Sequence, residues 1–282
     1  MAGLAGLCIG VLFIGCAANK SSGRYSQRHD SAPQVNLDPD TIKDAVPRIE
    51  PKSRYGNAPS YVVRGTRYHT LPSSRNYVER GIASWYGTKF HGHRTSNGET
   101  YDMYAMSAAH KSLPLPTYAQ VTNLRNGKSV IVKINDRGPF HENRLIDLSY
   151  AAAAKLGILG QGTGLVEVKT IDPKQYLAEQ QRPAIAPSQP KVTTPQPTKA
   201  VASDPVLYLQ LGAFSERSNA ERLRSRLAGI DLPGELHISE AVSRQQRVYR
   251  VRVGPLQSAE SADQATQILA TRGITSPRVV ID

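Results

Sequence analysis

Proline placement divides this chain before any other pattern is applied to it. Of its 19 prolines, six fall in residues 17–80 and seven in 173–205, while 81–172 and 206–282 hold three each. Proline has no backbone N–H to donate and fixes φ, so it interrupts helices and sheet interiors. The two proline-poor stretches are therefore where compact domains fit, and the proline-rich stretches read as linkers. The second linker carries Pro183, Pro187, Pro190, Pro195 and Pro197. As polyproline II, at about 3.1 Å per residue, it reaches up to roughly 100 Å. The first, Ala17 to Arg80, has a coil dimension of about 45 Å if flexible.

Residues 2–15, AGLAGLCIGVLFIG, form an uncharged apolar run. It is shorter than the roughly 20 residues of a membrane span and suits a signal-peptide core. The chain's two cysteines, Cys8 and Cys16, lie in or just after this run. Cys8 leaves with the signal. Cys16 follows Phe13-Ile14-Gly15, which resembles the lipobox of bacterial lipoproteins, with Phe13 in place of the usual leucine. The resemblance implies that cleavage leaves Cys16 as a lipidated first residue, so the mature chain has no disulfide. Ala17 is not the aspartate that favours inner-membrane retention, which implies an anchor in the outer membrane on its periplasmic side. The plainer alternative is an ordinary cleaved signal.

The net charge of +12 would suit a nucleic-acid binder. Its distribution does not. Basic against acidic residues number 11 and 6 in residues 17–80, 10 and 7 in 81–172, 4 and 2 in 173–204, and 10 and 8 in 205–282. The excess is densest in the first linker, and no basic stripe is interleaved with aromatics, so no nucleic-acid partner is expected. Attraction to an anionic envelope surface fits, as does a simply solvated linker.

In the central stretch, AQVTNLRNGKSVIVKIN (119–135) reads as a β-hairpin whose Asn126-Gly127 supplies the positive φ values of a type I′ turn. Val130, Val132 and Ile134 alternate with Ile131, Lys133 and Asn135, the pattern of a strand with one core face. Ser149 offers a helix cap before AAAAKLG with Gly157 as its stop, and Leu165 to Ile171 returns to strand. Acid–base chemistry at a leaving group needs a proton donor and commonly a second carboxylate. Glu99, Asp102 and Asp136 are the candidates, distant in sequence but able to converge in a groove. Each also has a structural alternative: Asp102 as a turn cap, Glu99 as a turn carboxylate, Asp136 paired with Arg137, and His110 as a buried hydrogen-bonded histidine. His91 and His93, with His110 and His141, offer nitrogen ligands for zinc. HExxH and a mature free thiol are absent, and no metal or cofactor is expected. Neither GxSxG nor GxxxxGK[ST] occurs.

The segments GIASWYG (81–87), FHGHRTSNGETYD (90–102), AAH (108–110), TNLRNG (122–127), NDRGPF (135–140) and IDLSYAAAAKLG (146–157) together resemble the rare lipoprotein A family, in order across nearly all of 81–172. The resemblance implies a six-stranded double-psi β-barrel, with residues 61–80 packing on it as a lead-in. It further implies lytic transglycosylase activity on peptidoglycan, with Asp136, Glu99, Asp102 and His110 as catalytic positions. Asp136 is then the principal acid, Glu99 stabilises charge or orients the sugar, and Tyr86 is a groove residue. In that reaction the acid protonates the oxygen between N-acetylmuramic acid and N-acetylglucosamine. It then acts as base on the muramyl C6 hydroxyl, which closes a 1,6-anhydro ring.

Residues 206–282 read strand, helix, strand, strand, helix, strand: VLYLQLGAF opens, SNAERLRSRL carries Ala220, Leu223 and Leu227 on one stripe, RVYRVRVGP is a strand, and SAESADQATQILA a second helix. This order suits a four-stranded antiparallel sheet with two helices on one face. Alternation puts Leu207, Leu209, Leu211, Tyr249, Val251 and Val253 toward the helices and Tyr208, Gln210, Arg250 and Arg252 on the open face. YLQLGAF with YRVRVGPL resembles the SPOR domain, which implies binding of peptidoglycan strands lacking stem peptides at division sites. That makes Tyr208, Gln210, Arg250 and Arg252 the glycan-binding set. The alternative is that a half-exposed sheet merely keeps polar residues in water.

The expected fold class is therefore mainly β and α+β, a double-psi β-barrel followed by a SPOR-like sheet with two helices. The expected boundaries are a signal at 1–15, a tether at 16–60, the barrel with its lead-in at 61–172, a linker at 173–205 and the SPOR-like domain at 206–282. The expected partners are peptidoglycan glycan strands, a membrane through the lipid anchor, and divisome proteins, with a role in daughter-cell separation. The alternative function is a non-catalytic, expansin-like peptidoglycan-binding lipoprotein.

Overall fold

Two sets of strands with clean apolar faces account for the architecture of the computed structural model. It describes residues 27, 29–35, 37–181, 204–243 and 245–282. The signal segment 1–15, Cys16 and most of the second linker lie outside the described residues. Among the described residues, no helix is long and apolar enough to cross a membrane.

The first set is β3 (Val78–Tyr86), β4 (Ser107–His110), β5 (Thr117–Asn123), β6 (Ser129–Asp136), β7 (Arg144–Ser149) and β8 (Gly164–Ile171). They close into a barrel in the order β3-β7-β4-β6-β5-β8. Pairing is parallel for β3 with β7 and β4 with β6, and antiparallel elsewhere. Val121, Val130, Val132, Ile134, Ile146, Leu148, Val166 and Val168 are fully buried in the core. Each such side chain contributes about 1.5–3 kcal/mol. The expected alternation along β6 therefore reflects one face of a closed sheet.

The hairpin forms, but its turn differs from expectation. β5 and β6 pair up to Thr122↔Ser129, which leaves a longer loop than two residues. Only Gly127, at φ +71°, takes the left-handed conformation. Asn126 instead turns its side chain onto Lys128 N (2.9 Å) and Leu156 O (3.1 Å). The helix signals hold: in α1 (Tyr150–Leu156), Ser149 Oγ accepts from Ala152 N at 3.2 Å, and Gly157 ends the helix in the left-handed region. Its alanines are buried because only small side chains let the helix lie close over the barrel.

The expected tether boundary at residue 60 is corrected. Leu37, Ile42 and Ala45 pack against the barrel core. Asp44 pairs with Lys155 (2.7 Å) and Glu50 with Lys133 (2.9 Å), while Asn57 Oδ1 accepts from Leu115 N at 2.8 Å. Ordered lead-in thus starts some twenty residues earlier, ahead of the hairpin β1 (Ser60–Val63) and β2 (Thr66–His69). Proline there straps the chain to the barrel rather than freeing it, because an extended segment whose polar groups meet side chains needs no sheet partner.

After α2 (Pro173–Gln180), the second set comprises β9 (Leu207–Phe214), β10 (Leu236–Ser243), β11 (Gln246–Leu256) and β12 (Arg278–Ile281), in the all-antiparallel order β10-β11-β9-β12. Helices α3 (Arg217–Arg226) and α4 (Ala259–Ala270) supply the apolar cover. Leu207, Leu209, Val251 and Val253 are buried as expected, whereas Leu211 and Tyr249 are only half-buried. A bulge between Val251 and Arg252 breaks the alternation there. The two domains also touch: barrel residues Ile82 and Leu165 share one apolar cluster with Leu207, Leu209 and Leu269.

Candidate active site

Asp136 ends β6, where the strand leaves the barrel. Its Oδ1 accepts three hydrogen bonds, from Ser96 N (2.7 Å), Ser96 Oγ (2.5 Å) and Arg137 N (2.7 Å). The Asp136–Arg137 ion pair that a DR dipeptide suggests does not form. Arg137 turns inward, donating through Nε to Gly56 O (2.9 Å) and through a terminal nitrogen to His110 O (3.0 Å) and Leu113 O (2.5 Å). Gly56 can approach because it has no side chain: at φ +78°, a Cβ would lie 2.8 Å from Ser96 O. The lead-in thereby braces the segment that carries Asp136.

A second aspartate, not among the sequence candidates, stands opposite. Asp147 lies on β7 and accepts a short hydrogen bond from Ser84 Oγ on β3. Burial pushes its carboxyl above the usual aspartate value, against the opposing pull of Ser84, Arg144 and Lys111. The pairing register explains how the two aspartates meet: Ala109 on β4 is opposite Asp136 on one side and Asp147 on the other. Two strand spacings put their Cα atoms roughly 10 Å apart, across a residue too small to fill the gap. A cleft of about 770 Å³ opens over this point, lined by both aspartates with Ser84, Tyr86, Ser96 and Phe140. Gly138, beside Ala109 and Asp147, has φ +142°, a backbone conformation that residues with a side chain rarely adopt.

The remaining expected residues divide. Tyr86 lines this cleft, but its ring is buried and stacked on Tyr101 at 4.1 Å. Its hydroxyl has no hydrogen-bond partner among the described residues, and burial raises its pKa further above the ordinary range. Glu99 and Asp102 line a different depression, between the barrel and lead-in residues 37–50. Glu99 accepts from Lys133 Nζ (2.8 Å) and Asn135 Nδ2 (2.8 Å). Partial burial would raise its pKa, but these bonds and the lysine charge outweigh that and hold it below the usual value. Asp102 is the turn cap of the structural alternative, with Oδ1 accepting from Tyr104 N at 2.9 Å.

His110 is also corrected from cleft residue to buried support. Its Nδ1 accepts from Ser112 N (3.2 Å) and Leu113 N (3.1 Å), so the ring proton sits on Nε2, within 3.0 Å of the Tyr77 hydroxyl. Burial, helped by Arg137 and Lys111, pulls its pKa down to about 3 from 6.5. A depressed pKa on a base means the fold favours the neutral form. That contribution is complete above pH 6.5 and is lost as the pH falls from about 6.5 toward 3. Ring ¹⁵N shifts of His110 are therefore expected to stay at their neutral values from pH 8 to pH 5, while barrel stability already declines as the pH falls below about 6.5. A midpoint near 6.5 would contradict the assignment. Among the described residues no group of His, Cys, Asp and Glu is arranged to hold a metal.

On the sheet of the second domain, Gln210 and Arg250 line an exposed depression. Arg252, expected there as a ligand contact, is 5% exposed and bonded to Asp282 Oδ2 at 2.5 Å, with its guanidinium 5.5 Å from the Tyr208 ring. It lines the same depression as Gln210 and Arg250, although little of its surface is exposed.

Comparison with known proteins agrees with this architecture. Residues 78–169 match the family described as lytic transglycolase, and 204–280 match the SPOR domain. The endolytic peptidoglycan transglycosylase RlpA of Pseudomonas aeruginosa is 43% identical, over 92% of this chain and 86% of that protein. This chain belongs to the rare lipoprotein A family. The Vibrio cholerae RlpA is 51% identical over 58% of this chain and 62% of its own length. A crystal structure of the RlpA SPOR domain from P. aeruginosa is similar at 35% identity, covering 26% of this chain and 96% of that one, with a TM-score of 0.25. Asp147 falls within the IDLS segment that contributes to the rare lipoprotein A resemblance. A carboxylate between two apolar strand residues was the available signal.

Proposed function

We propose that this chain is a lytic transglycosylase of peptidoglycan glycan strands, with Asp147 as the acid. The observation that carries this reading is the placing of Asp136 and Asp147 on either side of Ala109, in one cleft and in unlike surroundings. A carboxyl whose pKa is raised by burial holds the proton a leaving oxygen requires. A carboxylate held by three donors on one oxygen is a fixed negative group for a developing oxocarbenium ion. The choice of acid differs from the sequence expectation, which gave that role to Asp136.

Asp147 donates its proton to the oxygen between N-acetylmuramic acid and N-acetylglucosamine, and the C1–O bond breaks as positive charge grows on the muramyl ring near Asp136. Asp147, now ionised, takes the proton of the muramyl C6 hydroxyl while O6 bonds to C1. The 1,6-anhydro ring closes, and the acid returns to its starting form without water. The P. aeruginosa and V. cholerae relatives carry the name endolytic peptidoglycan transglycosylase, which supports the reaction class.

The SPOR-like sheet, through Tyr208, Gln210 and Arg250, gives the enzyme its preference for peptide-free strands and concentrates it at the septum. Lipidation at Cys16 anchors it in the outer membrane for daughter-cell separation. Incubation with purified peptide-free strands and mass analysis of the products tests the reaction. Chains ending in 1,6-anhydromuramyl groups are expected. Reducing-end products would mean hydrolysis, and binding without cleavage would move the protein to the expansin-like alternative.

A further inference from the structure

The second domain is fixed on the barrel by a polar contact as well as an apolar one. Asn143, just before β7, is buried, and its Nδ2 donates to Asp263 Oδ1 (2.8 Å) and Thr266 Oγ1 (3.0 Å) on α4. Arg144 donates to Asp263 Oδ2 at 3.0 Å. Buried polar groups satisfied across a junction specify one arrangement, since separating them with either partner left dry is costly. The linker's long reach is therefore not what sets the spacing of the two domains in this arrangement.

That arrangement joins three depressions end to end. The one on the sheet face, about 410 Å³, is walled by Gln210 and Arg250 together with barrel residue Arg80 and β12 residue Arg278. A junction depression of about 300 Å³ shares Arg80 and Arg278 with it, and shares Arg144 with the catalytic cleft. Arg278 is 73% exposed and meets Glu79 only at 3.6 Å. Arg250 has no ion pair among the described residues. Removal of a stem peptide leaves a free lactyl carboxylate on each muramyl residue, an acidic group that arginine binds well.

We infer that the domain junction is a separate binding subsite for the acidic, peptide-free saccharide, so that one glycan strand runs from the sheet face across Arg278 into the catalytic cleft. The inference rests on the glycan-cleaving reading above. It adds that both domains act on the same strand at once, with the affinity gain of a linked pair of sites.

The test uses the full chain with long peptide-free strands and with a tetrasaccharide too short to span both domains. Thr266→Arg places a charged side chain in the buried contact with Asn143 and opens the junction. It is expected to reduce kcat/KM on long strands about tenfold, with tetrasaccharide turnover unchanged. Arg278→Glu reverses a solvent-exposed charge with little risk to folding, and is expected to weaken long-strand affinity by a similar factor. Calorimetric titration of both strand lengths accompanies the kinetics. If neither variant reduces the wild-type advantage for long strands, the domains work independently and the junction subsite is refuted. If the wild type binds but does not cleave, the catalytic reading fails, while the affinity of each variant for long strands relative to wild type still decides the junction.

Discussion

Asp147→Asn is expected to lower kcat by about 10²–10⁴, the usual contribution of a positioned general acid, while leaving thermal stability unchanged or slightly higher. The stability half follows from the direction of the pKa shift. A carboxyl whose pKa is raised by folding favours the native state while protonated, and that contribution is lost as the pH rises through the folded value. Ionising Asp147 in its buried site therefore costs the fold stability, a cost that the neutral amide removes. The same shift predicts that wild-type activity falls as the pH rises, with an apparent pKa above the ordinary 3.8. Measuring kcat and Tm on one preparation checks both halves. A large loss of Tm with activity lost in proportion would mean that Asp147 is structural. Full activity in the variant would return the acid role to Asp136.

Asp136→Asn is expected to reduce kcat by about 10²–10³, as for the loss of one preorganised group facing developing charge, with KM little changed. The amide keeps the shape but removes the negative charge, and its NH₂ cannot accept the bonds from Ser96 and Arg137 if it takes the Oδ1 position. The loss should therefore fall on the transition state rather than on ground-state binding. A KM increase at constant kcat would make Asp136 a substrate-binding residue. Combining the two substitutions should cost much less than the product of the single effects, because the aspartates act on one reaction step.

The sequence carried some elements well and others poorly, and the division follows range. The β5–β6 hairpin, the Ser149 cap and the Gly157 stop depend on residues a few positions apart, and all three form. The I′ turn was misread because the side chain of Asn126 had a better use, bonding to Leu156 O at the end of α1. The tether was misread because proline excludes regular structure without excluding packing. Alternation placed Arg252 on the open face, where it does line the depression with Gln210 and Arg250, but its pairing with Asp282, thirty residues on, leaves it little exposed.

The site divided along the same line. Asp136 was legible as a carboxylate at the end of an apolar strand. Its role was not, because that depends on Ser96, forty residues earlier. Glu99, Asp102 and His110 are acids and a base in the right stretch of chain, but two face another depression and one is sealed in the interior. What this sequence determined by itself was the partition into two domains, the strand and helix signals within each, and the family to which they belong. The first two follow from local backbone preference and from the spacing of apolar residues, and the family from the resemblance of its motifs. Only the tertiary structure could single out the proposed catalytic pair. Parallel pairing of β4 with β6 and antiparallel pairing of β4 with β7 bring Asp136 and Asp147 to either side of Ala109. Such register is a property of the closed barrel, which no single segment contains.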